Sequence, residues 1–96
     1  MKTVYKINLT IWLKEQGKDI LNIALPILSK PISVANQREE MVMYFECENK
    51  WQDMDNYKIA IVGTGHEIKF NLDTAKFLGT ISLAAGNLIF HIYWVE

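Results

Sequence analysis

Apolar and polar residues alternate without a break from Tyr5 to Leu13. Tyr5, Ile7, Leu9, Ile11 and Leu13 fall on one side, and Lys6, Asn8, Thr10 and Trp12 on the other. Period two places successive side chains on opposite faces, so this stretch predicts a half-buried strand. Glu15 to Asp19 is a polar turn. Ile20 to Leu25 is a short apolar run stopped by Pro26; one helical turn would fit it, and a strand is the preferred reading. Ile32 to Gln37 predicts a third strand. Arg38-Glu39-Glu40 forms a hairpin tip, and Met41 to Glu48 forms the next strand, with Met41, Met43, Phe45 and Cys47 on one face. Asn49 to Asn56 is the longest polar interruption and carries Trp51 and Met54. Tyr57 to Val62 is rich in β-branched residues and ends at Gly63-Thr64-Gly65. His66 to Phe70 predicts a short further strand. Asp73 to Lys76 predicts one turn, with Asn71 or Asp73 as its cap. Phe77–Ala84 and Leu88–Glu96 pair around Ala85-Gly86-Asn87, a loop length common in hairpins.

These elements amount to about seven short strands and no helical period sustained over ten residues. The expected fold is all-β: a small antiparallel sandwich or partly open barrel, with room for one short helical turn, forming a single domain over residues 1–96. The closing strand departs from the half-buried pattern. Leu88, Phe90, Ile92 and Trp94 share one face, and Ile89, His91, Tyr93 and Val95 the other. Both faces are mostly apolar, so both need cover. The Asn49–Asn56 loop with Trp51 is one candidate cover. A second subunit seated on His91, Tyr93 and Val95 is the other, which makes a homodimer an expectation.

Composition narrows the classes. Hydrophobic residues make up 50% of the 96 and charged residues 22%, which is a globular balance. Ten basic against eleven acidic residues leave a net charge of −1. A protein that neutralises duplex phosphates, or docks through a polybasic membrane patch, is therefore not expected. The single cysteine, Cys47, cannot close an internal disulfide. No apolar targeting segment opens the chain and no run approaches a membrane span, so the expected location is the cytoplasm.

The strongest chemical signal is Gly63-Thr64-Gly65-His66-Glu67. Glycines permit positive φ and close approach of a ligand, and successive N–H groups in such a turn can form an anion-binding nest. Thr64 adds a hydroxyl and His66 a donor that can be cationic near neutral pH. The competing structural reading is a tight turn with His66 held by a backbone carbonyl. No third glycine and helix follow, as a dinucleotide fingerprint needs, and no Lys-Ser/Thr pair follows, as a phosphate loop needs. His66, His91 and Glu67 are a poor metal set, because His66 and Glu67 point to opposite faces of a β segment. No cofactor is expected. Cys47 alternates with Phe45 and Met43 and reads as core. Glu39-Glu40 sit in a turn; Glu46 and Glu48 share a strand face at a spacing that could hold a cation or a water, with solvated edge charges the preferred reading. Trp12, on the polar side of the first strand, and Trp51, in the long loop, are candidate stacking platforms for a base or a partner side chain.

Several stretches together resemble a family of small, uncharacterised phage and prophage proteins. They are Val4-Tyr5-Lys6, Ala24-Leu25-Pro26, Ile32-Ser33-Val34 with Gln37, Ile61 to His66 with Ile68, Phe77-Leu78-Gly79-Thr80, and Leu88 to Tyr93. The resemblance spans almost the whole chain and implies a phage-encoded accessory protein acting in the host cytoplasm. Two classes of function compete. One is a non-enzymatic binding protein that counters host defence by gripping a host protein or sequestering a small anionic, nucleotide-like ligand. In that version Gly63, Thr64, Gly65 and His66 take the phosphate, and Trp12 or Trp51 takes the base. The other is a small hydrolase using His66 or His91 as general base. A virion or structural homo-oligomer is a further alternative.

Overall fold

A computed structural model describes residues 1–48 and 53–95. Its first strand, β1 (Lys2–Asn8), stops well short of the predicted Leu13. Asn8 accepts a hydrogen bond from Ile11 N at 3.2 Å and caps a helix, α1 (Leu9–Gln16). Gly17 closes that helix at φ 61, donating to Leu13 O at 2.8 Å, in the left-handed conformation that glycine adopts most cheaply. The expected strand over 5–13 is therefore corrected to a strand and a helix. Leu9, Trp12 and Leu13 recur at helical spacing and turn to the core, while Ile11 stays 54% exposed.

Six strands follow: β2 (Ile20–Pro26), β3 (Lys30–Gln37), β4 (Glu40–Glu48), β5 (Met54–Gly63), β6 (Lys76–Leu83) and β7 (Leu88–Val95). They form two antiparallel sheets, one ordered β1-β4-β3 and one β2-β5-β7-β6. The fold is thus all-β, with seven strands among the described residues, as a sandwich and not a closed barrel. Between the sheets lie Leu21, Ile23 and Leu25 of β2, Met41, Met43, Phe45 and Cys47 of β4, and Ile59, Ile92 and Ile81 of the second sheet, all buried. Each fully buried Leu, Ile or Phe contributes about 1.5–3 kcal/mol. Arg38 and Glu39 form the β3–β4 tip at φ 53 and 64, the left-handed pair that a two-residue hairpin loop needs.

The edges β3 and β6 close one side of the sandwich. Asn36 Nδ2 donates to Ser82 O at 2.8 Å, and Ala84 N donates to Glu39 Oε2 at 2.8 Å. Glu39 therefore joins the two sheets. At Gly79, φ 148, a Cβ would stand 3.0 Å from Val34 Cγ2, so a side chain is excluded where the sheets approach.

β5 and β6 run parallel on either side of β7, so residues 64–75 must cross over β7 on the outer face of its sheet. The predicted strand over His66–Phe70 does not form; these residues belong to the irregular crossover. In place of the predicted turn over Asp73–Lys76, a short 3-10 helix forms at Leu72–Thr74 with Asn71 as its cap, and Lys76 already opens β6. The crossover lays Phe70 against Tyr93, ring centroids 5.4 Å apart, and Phe77 flanks the same ring at 5.3 Å. Here the chain itself covers the second apolar face of the closing strand at Tyr93, while Ile89 on the same face stays 38% exposed. Of the alternative cover, residues 49–52, including Trp51, lie outside the described residues. Among the described residues, no helix is long and apolar enough to cross a membrane.

Candidate functional site

β5 ends at Gly63, paired with Phe90 of β7. Gly65, at φ 88, reverses the chain in a conformation that a side chain would strain. His66 N donates back to Gly63 O at 3.0 Å, and Thr64 N donates to Ile89 O at 3.2 Å. The His66 ring lies on Gly63, where a Cβ would stand 3.0 Å from Nδ1. Gly63 thus supplies close approach, and Gly65 supplies the positive φ.

Beneath this turn lies His91. Thr64 Oγ1 is 2.8 Å from His91 Nε2, and Thr80 Oγ1 is 3.0 Å from Nδ1. A hydroxyl can both donate and accept, so either tautomer of the imidazole is satisfied. Three distant stretches, Ile61–His66, Phe77–Thr80 and Leu88–Tyr93, meet at this one ring. Sequence reasoning singled out Thr64 and His91 separately and gave Thr80 no role. The signal that links them is the two-strand order around β7, which hairpin patterns do not encode.

A cavity of about 230 Å³ opens beside the turn, lined by Gly63, Thr64, His66 and Gly86 to Phe90. Its far wall is the β6–β7 loop, where Ala84 and Ala85 hold φ 51 and 55 and Gly86 holds φ 91. Non-glycine residues there store strain of about 1–3 kcal/mol each. Among the described residues, no lysine or arginine lines the cavity. The N–H groups of Thr64 and His66 are spent inside the chain, so a run of free successive amides is not what the turn offers. What the lining offers an anion is the exposed His66 imidazole and the Asn87 side-chain amide.

Residues 1–96 match the family model described as Domain of unknown function (DUF7352). The chain belongs to that family. No curated protein and no solved structure matches it.

Elsewhere in this DUF7352 domain the candidate residues are dispersed. Trp12, expected on the polar face of a strand, sits on α1 with its ring half-buried against the core, a correction that follows from the cap at Asn8. Trp51 lies outside the described residues. On the outer face of β7, His91 is held by the two threonines, Tyr93 by the two phenylalanines, and Val95 is 9% exposed. Cys47 is buried in the core. Glu48 Oε2 accepts from the Met1 amine at 2.7 Å. Among the described residues, no three His, Cys, Asp or Glu side chains gather as a metal-ligand set.

Proposed function

We propose that this protein is a phage-encoded accessory protein that works by binding, without chemistry, and that its ligand engages the Gly63–His66 turn in the host cytoplasm. The observation that carries the reading is the cavity between that turn and the β6–β7 loop, with His66 at its rim and a strained loop as its wall. At about 230 Å³ it is smaller than the usual 300–1,000 Å³ ligand pocket. It suits one anionic group, such as the phosphate of a nucleotide-like ligand or a carboxylate on a host protein. With Trp12 committed to the core, stacking of a base on that ring is not part of the reading. The resemblance to phage and prophage proteins supports the accessory role.

The hydrolase alternative has one observation in its favour, the 2.8 Å approach of Thr64 Oγ1 to His91 Nε2. Yet Nδ1 faces the Thr80 hydroxyl and not a carboxylate, so no negative charge steadies the imidazolium that a general base becomes. The geometry favours a clamp that holds the crossover.

A thermal-shift series against inorganic phosphate and against cyclic and linear nucleotides tests the proposal. A ligand at 100 times its Kd stabilises by about 2.7 kcal/mol. His66→Ala, at an exposed position, should abolish the shift and leave the unliganded melting point close to wild type. No shift at millimolar ligand, together with no His66-dependent capture of a host protein, would overturn it.

A further inference from the structure

The four sheet edges are treated unequally. An open edge presents unpaired N–H and C=O groups and is a template for another strand. On β2, the Gln16 side chain fills that role: its Nε2 donates to Asn22 O at 2.7 Å and its Oε1 accepts from Asn22 N at 2.9 Å. One amide thus reproduces both bonds of a neighbouring strand. β3 and β6 block each other through Asn36 on Ser82 O and Glu39 on Ala84 N. β1 has no such plug among the described residues.

Which β1 groups face outward follows from β4. Gln37 and Glu40 flank a two-residue loop, so the even residues of β4 bond to β3. Met41 N bonds Thr10 Oγ1, just past the last β1 pair, so the odd residues bond toward β1. In the β1–β4 register these are opposite Thr3, Tyr5 and Ile7, which leaves the backbone of Val4 and Lys6 pointing out of the sheet. Val4 is 55% exposed. Lysines often guard such edges. Lys6 does not, because its Nζ reaches across its own sheet to Gln37 Oε1 at 2.8 Å. Met1 is likewise drawn away, to Glu48.

We infer that β1 pairs antiparallel with β1 of a second copy of this chain, joining two three-stranded sheets into one of six strands. The register that satisfies the outward groups is centred on Tyr5. It sets Val4 beside Lys6 of the second copy and Lys2 beside Asn8 of the second copy. No like charges face each other, whereas a register centred on Val4 would set Lys2 against Lys6. This surface is distinct from the Gly63–His66 turn and stands or falls separately from it.

Sedimentation velocity over a concentration series tests the pairing. Wild type should double in mass as concentration rises. Val4→Pro removes the outward N–H and leaves the β4 ladder intact, since proline is tolerated at such edge positions. It should weaken association at least tenfold. Amide exchange of the wild type supplies a readout that needs no variant: Val4 and Lys6 amides should slow as concentration rises. The inference is overturned if wild type stays monomeric at millimolar concentration, if folded Val4→Pro associates like wild type, or if those two amides exchange at a concentration-independent rate.

Discussion

Removing the His91 clamp is the most informative single perturbation of the fold around the site. His91 ties the start of the crossover, through Thr64, to β6, through Thr80, and it does so from the central strand β7. Two neutral hydrogen bonds contribute about 0.5–1.5 kcal/mol each, so losing both costs about 1–3 kcal/mol. For a domain of this size, 1 kcal/mol lowers Tm by about 4–8 °C. His91→Leu, which keeps apolar bulk in the half-buried position, should therefore lower Tm by roughly 4–24 °C. Thr64→Val and Thr80→Val should each cost about half as much. In a double-mutant cycle, Thr64→Val should have almost no further effect in the His91→Leu background. Hydrogen exchange should distinguish the two threonines: Thr64→Val loosens residues 64–66, and Thr80→Val leaves them protected. If His91→Leu melts like wild type, or Thr64→Val and His91→Leu are additive, the imidazole does not hold the crossover.

Other consequences of the structure are equally direct. Asn8→Ala removes the helix cap and should cost about 1 kcal/mol in denaturant midpoint, whereas Asn8→Asp should be near neutral. Gly79→Ala puts a Cβ within 3.0 Å of Val34 at φ 148, and should cost about 1–3 kcal/mol; the Val34→Ala background should relieve the steric part. Burial pushes the Tyr57 phenol above its usual 10.0, opposed by the nearby N–H and hydroxyl of Ser29 and reinforced by the Asp55 charge. The folded state therefore holds this proton more strongly than the unfolded chain. Its contribution to stability is present in full below about pH 10 and is lost as pH rises through the raised folded value. Absorbance titration should show one of the four tyrosines ionising late in the folded protein and normally in denaturant.

How far the fold could be read from the sequence varies by element, for physical reasons. The β4 face of Met41, Met43, Phe45 and Cys47 was legible because it is apolar and buried throughout, while the other face carries Tyr44, Glu46 and Glu48 beside the buried Val42. The β1–α1 boundary was not, because Leu9, Ile11 and Leu13 satisfy period two while Leu9, Trp12 and Leu13 satisfy a helix. Asn8 and Gly17, spaced as caps, were the signals that decide between them. The doubly apolar closing strand called for a cover, and the structure supplies one at Tyr93. Its source, the crossover with Phe70, depends on β7 lying between β5 and β6, and sheet order leaves no local trace. At the candidate site the glycines and His66 were visible as a turn. The engagement of Thr64 with His91, and the use of two of the turn's amides inside the chain, are tertiary facts.

We propose that the turn at Gly63–His66 binds an anionic group. Titrating the isotopically labelled protein with a nucleoside monophosphate, and following every backbone amide, tests it most directly. The expected result is a saturable shift confined to Gly63, Gly65, His66 and the facing Gly86 to Leu88, lost in His66→Ala. Saturable shifts centred elsewhere, or none at millimolar ligand, would contradict it.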